Sequence, residues 1–247
     1  MTSLPVNVVP ALAFFDVDET VISEKSLIEF WRYWRATHPA PVADGVLALR
    51  SEATRPRDRE ALNRSYYRRY AGATLAALEA AGRRWYDVYR RGSDAFVPAT
   101  LEAIAMHQAA GREVVLVSGS MRPLLGPLAE ELGVRAVLCT ELVTGADGVL
   151  TGEVHRPMIG VAKAEAAVRI MRTHGARPDD CFAYGDHESD LALLRAVGRP
   201  VVVGDSPLLN REALRFGWPV VPAGRGPLSS GAGRMSGEKW AFKNIPT

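Results

Sequence analysis

The chain has 247 residues, 47% of them hydrophobic and 23% charged, with a formal net charge of +2. This length carries a real core without staples, and the composition is that of an ordinary soluble protein, which sets aside fibrous and disordered chains. So small a net charge gives no argument for a nucleic-acid partner. Cys139 and Cys181 are far apart, each in or beside an apolar run, and read as buried free thiols rather than a disulfide. Met1 to Pro10 carries no basic region of the kind a signal peptide needs, and no apolar stretch reaches the length of a membrane span. The expectation is a cytoplasmic protein with no membrane partner.

The first predicted strand, Leu12–Phe15, ends on Asp16 and Asp18 within Phe15-Asp16-Val17-Asp18-Glu19-Thr20. Strand alternation sends positions i and i+2 to the same side. Two carboxylates facing one small space repel, so they call for a cation or a shared proton. Between this strand and Pro98 no strand is convincing. Ser26 to Thr37 is amphipathic, with Leu27, Phe30, Trp31 and Trp34 at helical spacing. Arg57 to Tyr70 and Thr74 to Tyr89 continue in helical style. Residues 24–95 are therefore expected to form a small helical insert, with residues 1–23 and 96–222 forming the α/β part.

Strands are then predicted at Val114–Val117, Ala136–Leu138, Phe182–Tyr184 and Val201–Val203. Their apolar, non-alternating character suits a parallel sheet covered on both faces. Helices are expected between them, at Pro98 to Ala110, Arg122 to Leu132, Val161 to His174, Glu188 to Val197 and Pro207 to Phe216. Gly111 and Gly133 stand where helix C-caps belong. Ala146-Asp147-Gly148, between Val143 and Val149-Leu150, predicts a β-hairpin. The stretch 223–247 is rich in Gly and Ser at its start and is expected to be a flexible tail that adds no core.

Three more segments fall at strand ends or helix starts. Val114–Val117 runs into Ser118-Gly119-Ser120, where a hydroxyl followed by glycine lets backbone N–H groups approach an anion. Phe182–Tyr184 runs into Gly185-Asp186-His187-Glu188-Ser189-Asp190, two carboxylates four residues apart. Lys163 lies in the first turn of a helix, where the helix dipole disfavours it and a partner anion is implied. Asp16, Ser118 and Asp186 thus end three strands. In a parallel sheet such ends line one edge, which is where open α/β sheets bind their ligands.

Asp-x-Asp-x-Thr, then Ser-Gly, then Lys, then Gly-Asp-x-x-x-Asp resembles the haloacid dehalogenase superfamily in order and spacing across residues 12–204. A helical insert directly after the first motif resembles the branch that contains phosphoserine phosphatase, subfamily IB. The segment Gly217-Trp218-Pro219-Val220 is similar to a hypothetical-hydrolase group of that branch. The resemblance implies a Rossmann-like parallel-sheet α/β core with an inserted helical (type C1) cap. It implies a magnesium-dependent phosphatase acting on a small phosphorylated metabolite. In that pattern Asp16 is the nucleophile and forms an aspartyl-phosphate, and Asp18 protonates the leaving oxygen and then activates water. Magnesium takes the Asp16 carboxylate, the Asp18 backbone carbonyl and the Asp186 carboxylate. Ser118 and Gly119 bind the phosphoryl oxygens, Lys163 offsets their charge, and Asp190 orients Lys163 or a metal-bound water. Dehalogenases lack the second aspartate, so Asp18 favours phosphomonoester hydrolysis.

Two departures from the pattern bear on specificity. Glu19 stands where the family more often has glycine or another small residue. Lys25 stands where phosphoserine phosphatases carry a glutamate that binds the substrate's ammonium, which predicts a substrate other than phosphoserine. Lys25, with Arg64 or Arg68 of the insert, is expected to meet an acidic or hydroxylated leaving group. His187 is read as a loop residue, and Trp31 and Trp34 as insert core. Arg64-Ser-Tyr-Tyr-Arg68-Arg69-Tyr is read as a solvated helix face rather than a nucleic-acid contact. A phosphotransferase using the same aspartyl-phosphate, or a phosphoacceptor or binding protein without turnover, stays open at this stage. So do the leaving group and the oligomeric state.

Overall fold

The computed structural model describes residues 10–38 and 59–228. A six-stranded sheet forms its centre. It uses β1 (Leu12–Phe15), β2 (Glu113–Met121), β3 (Ala136–Thr140), β6 (Phe182–Gly185), β7 (Arg199–Val203) and β8 (Val220–Val221), in the order β3-β2-β1-β6-β7-β8. Every pairing in it is parallel. The strand that ends on Asp16 therefore lies at the middle of the sheet, flanked by the strands that carry Ser118 and Asp186. The Glu141–His155 segment forms the expected hairpin from β4 (Leu142–Thr144) and β5 (Leu150–Val154).

Alternation along β1 explains the layering. Leu12 and Phe14 join one apolar cluster and Ala13 and Phe15 another, all of them buried. The first cluster is closed by side chains of α6 (Val161–His174), α7 (Leu191–Leu194) and α8 (Pro207–Phe216). The second is closed by α4 (Pro98–Ala109) and α5 (Arg122–Glu131). Gly111 and Gly133 take left-handed φ values of 71° and 65° just past α4 and α5, as C-cap glycines do.

Between β1 and α4 the described residues form three helices, α1 (Ser26–Thr37), α2 (Arg59–Arg68) and α3 (Leu75–Tyr89). The start of the helix expected from Arg57 lies outside the described residues. The three helices share an aromatic core. Phe30 packs against Trp34, Tyr70 and Trp85, and Trp31 meets Tyr66 and Tyr70 edge-on. This aromatic core is continuous with the second sheet cluster, so the insert is seated on the sheet by apolar burial.

Three expectations are corrected. The helix expected over Glu188 to Val197 shrinks to a 3₁₀ turn at Glu188–Asp190 and a four-residue α7. The His187 imidazole takes the Ser189 N–H, and the Asp190 carboxylate takes the His187 N–H, so the turn is tightened by its own side chains. A short edge strand, β8, appears where none was expected. Residues 223–228 do not trail away: Gly226 pairs with Phe96 in both backbone directions, at 2.8 and 2.9 Å. The rest of the tail lies outside the described residues. Cys139 and Cys181 are free and buried. Among the described residues no helix is long and apolar enough to cross a membrane.

Candidate active site

At the carboxyl edge of the sheet, Lys163 Nζ lies 2.5 Å from Asp16 Oδ1 and 2.6 Å from Asp190 Oδ1. All three side chains are buried. Lys163 reaches the edge from the first turn of α6, so its position against the helix dipole is compensated by two carboxylates rather than by solvent. Burial works against its ammonium, but Asp16 and Asp190 outweigh that and raise its pKa. Asp186 follows β6, and its Oδ1 accepts a hydrogen bond from Thr20 Oγ1 at 2.8 Å. Thr20 is wholly buried, and its own carbonyl accepts from Thr100 Oγ1 at 2.6 Å. The threonine of the first motif is thus the residue that holds the aspartate of the last.

Gly185 is required by close approach. A Cβ placed there would meet Asp190 Cβ at 2.6 Å. The missing side chain lets Asp190 fold back beneath β6 and reach Lys163.

Oxygens of Asp16, Asp186 and Asp190 lie within 4.8 Å of one another. Three carboxylates surround one ammonium, which pairs with Asp16 and Asp190, and the surplus of negative charge shows in the titration of Asp16 and Asp186. Asp16 is raised well above its ordinary value by burial first and by Asp190 next. Asp186 is pushed up to about 6, again by burial and then Asp190. A compact, buried, all-oxygen donor set with excess negative charge fits a hard divalent cation such as magnesium. The Asp18 carboxylate stands outside that group. Its Oδ1 accepts from the Ser26 backbone N–H at 3.1 Å, at the start of α1. Burial pushes the Asp18 carboxyl up, against the pull of the Ser26 hydrogen bonds.

These groups open into a cavity of about 880 Å³ between the sheet edge and the insert. Ser118 and Gly119 line its floor, with Asp16, Asp18, Lys163 and Asp186. Leu27, Ile28, Trp31, Leu62 and Tyr66 form an apolar wall, and Lys25, Arg32, Arg35 and Arg59 add positive charge. Glu19 also lines it, with a left-handed φ of 64° that glycine would adopt freely and that costs a glutamate roughly 1–2 kcal/mol. Its carboxylate lies 3.1 Å from Lys25 Nζ. Both partners are more than a third exposed, so the pair contributes little stability.

The two insert arginines singled out from sequence face elsewhere. Arg64 donates to the backbone carbonyls of Val154 and His155 at 2.8 and 3.2 Å, and Arg68 pairs with Glu153 at 3.2 Å. Both serve the β4–β5 hairpin, because their face of α2 packs on it. The cavity arginine of that helix is Arg59, one turn earlier, whose Nη1 lies 2.5 Å from His187 Nδ1 and 3.3 Å from Ser189 Oγ. Burial, and then the charge of Arg59, hold the His187 imidazole below its ordinary range. Sequence reasoning also missed Ser26, Asn63 and Tyr67. Nothing in the helical insert marks them: Asn63 and Tyr67 meet the Gly119 carbonyl, distant in sequence, and Ser26 holds Asp18 through its own N–H.

A family model, haloacid dehalogenase-like hydrolase, matches residues 13–195. A probable phosphatase of Mycobacterium tuberculosis is 30% identical over 226 residues, 88% of this chain and 76% of that one. A Streptomyces azureus protein named for inhibition of morphological differentiation is 42% identical over 118 residues, and that match spans 48% of this chain and 43% of its relative. A solved structure of phosphoserine phosphatase, in a phospho-aspartyl intermediate analogue, superposes with a TM-score of 0.64 at 22% identity, covering 88% of this chain and 95% of that one. That likeness is one of fold.

Proposed function

The chain belongs to the haloacid dehalogenase-like hydrolase family, and from that premise we propose that it is a magnesium-dependent phosphatase of small phosphorylated metabolites other than phosphoserine. The observation that carries the reading is Lys163 bridging Asp16 and Asp190, with Asp186 alongside, at the carboxyl edge of the sheet. The surplus of carboxylates supports a resident divalent cation held by Asp16, Asp186 and the backbone carbonyl of Asp18. When bound, magnesium supplies charge neutralisation for the phosphoryl oxygens.

In this reading Asp16 attacks phosphorus, the bond to the leaving oxygen breaks, and an aspartyl-phosphate forms. Asp18, whose carboxyl burial pushes up, gives a proton to the leaving oxygen. Ser26 holds the Asp18 carboxyl in place through its backbone N–H. In the second step Asp18 takes a proton from water as that water attacks the aspartyl-phosphate, releasing phosphate and restoring Asp16. Lys163 keeps its charge throughout and balances Asp16 and the transferred group. Ser118 donates its hydroxyl to a phosphoryl oxygen.

The leaving group meets the insert side of the cavity, where Lys25 and Arg59 stand beside the Trp31 wall. A cationic surround disfavours an ammonium and suits an anionic or hydroxylated group with an apolar body. Phosphate release from a broad panel of phosphomonoesters, with and without magnesium and beside Asp16→Asn, tests the proposal. The expected result is magnesium-dependent release that the variant loses by at least about 10³-fold. Phosphoserine ranking first would overturn the substrate reading. Products carrying phosphate on an added alcohol would move the chain to a phosphotransferase.

A further inference from the structure

The parallel pairing of β2 with β3 shifts register between Ser118 and Met121. There the Gly119 carbonyl is met by three side chains instead. Asn63 Nδ2 donates to it at 2.9 Å, Tyr67 OH at 2.8 Å and Thr140 Oγ1 at 2.9 Å. Thr140 is a core residue, fixed in turn by the Met158 N–H at 3.1 Å. Asn63 and Tyr67 belong to the insert, four residues apart on one face of α2. Tyr67 and Thr140 are each 1% exposed and Asn63 6%.

The other end of the same peptide unit is the Ser120 N–H, which donates to Ser118 Oγ at 3.0 Å. Because Ser118 Oγ accepts there, its own proton is left to point elsewhere, and Ser118 lines the cavity floor. Turning the Gly119–Ser120 peptide would break both ends of this relay. The site also has no room to slacken on that side: a Cβ at Gly119 would meet Ile159 Cγ1 at 3.1 Å and Asn63 Nδ2 at 3.6 Å.

We propose that Asn63 and Tyr67 are positioning residues: by holding the Gly119 carbonyl they aim the Ser118 hydroxyl, so the phosphate site is complete only while the insert is docked. The inference rests on the phosphatase reading of the same site. It makes the insert a part of phosphate binding and not just a wall for the leaving group.

The test is calorimetric titration of inorganic phosphate and orthovanadate into the full-length chain with magnesium, for wild type, Asn63→Ala, Tyr67→Phe and the double variant. Tyr86→Phe is the control. Tyr86 joins the insert to Glu131 of α5 at 2.6 Å, away from the loop. The expected result is about fivefold to tenfold weaker anion binding for each single variant and a larger loss for the double, with Tyr86→Phe unchanged. Single variants that bind as wild type does, or a Tyr86→Phe loss of equal size, would overturn the inference and leave the phosphatase reading standing. A wild type that binds neither anion and hydrolyses nothing would overturn both. Should the double variant not fold, the single Tyr67→Phe keeps the ring packing and decides the matter alone.

Discussion

The two sides of the cavity are built on different principles. On the sheet side, charged groups sit at strand ends or helix starts and are held by other groups of the site: Lys163 by Asp16 and Asp190, Asp186 by Thr20, Asp190 by the His187 N–H. On the insert side, Lys25, Arg32, Arg35 and Arg59 bring charge on long stems against an apolar wall. Backbone-fixed groups hold one geometry, which suits chemistry shared by a whole family. Long stems change reach with little cost to the fold, which suits selection among leaving groups. The lesson is that one chain places its firmly held charges on a parallel sheet edge and its long-stemmed ones on the insert facing it.

Gly185→Ala is the sharpest way to break the sheet side without removing a charge. The new Cβ would stand 2.6 Å from that of Asp190 and push the carboxylate off Lys163. Displacements of about 1 Å cost roughly 10²-fold in rate. The expectation is a kcat loss of that size for every substrate in the panel alike, with the substrate ranking unchanged. A ranking that changes as much as the rate would show that the two sides are not separable.

The sheet side was also the legible side. Asp16, Lys163 and Asp186 each stand at a strand end or helix start and Ser118 at the register shift of β2, and apolar runs broken by Gly or Asp mark such places within a few residues. The order of strands was not readable, but parallel pairing was, and that is enough to gather the ends on one edge. The insert gave only its helices. α2 shows why: with 3.6 residues per turn, Arg59 and Asn63 face the cavity while Arg64 and Arg68 face the hairpin. A mean pattern over a polar helix cannot say which arginine stripe faces the cavity. The short α7 was missed because the side chains of His187 and Asp190 reshape their own turn, an effect no periodicity records.

Changing the insert side should alter selectivity and spare the shared chemistry. Lys25→Glu removes the partner of Glu19 and reverses one of the cavity's charges, and Arg59→Gln removes another. For substrates paired by the presence or absence of an anionic group on the leaving side, the ratio of kcat/KM is expected to fall about tenfold in each variant. The kcat for a small donor such as acetyl phosphate should move less than about twofold. Ratios that stay put in both variants would mean the cations serve solubility or steering instead.

The last expected effect is read in stability, belongs to the sheet side alone and reports its surplus charge. The folded-state pKa of Asp186 is raised to about 6 from an ordinary 3.8. Between those values the folded, metal-free chain binds a proton that the unfolded chain has released. The stability this group contributes is therefore fully present below about pH 4 and is lost as pH rises through about 6, a change on the order of 3 kcal/mol. In a chain of this size that is roughly 6–12 °C in Tm. Magnesium needs the ionised carboxylate, so saturating metal should offset the loss and raise Tm most at the upper end of the range. Thermal melts in chelator and in magnesium across pH 4–7.5 measure both slopes, with Asp186→Asn expected to reduce each and Asp16, raised by burial and Asp190, keeping the remainder. Besides burial, Arg59 and Lys25 also hold the His187 imidazole down, so the controls on the other wall are Arg32→Gln and Arg35→Gln, which should leave the slopes where they are. A slope that follows those cations instead of Asp186 would place the surplus charge of the cavity on the insert and undo the division drawn between its two sides.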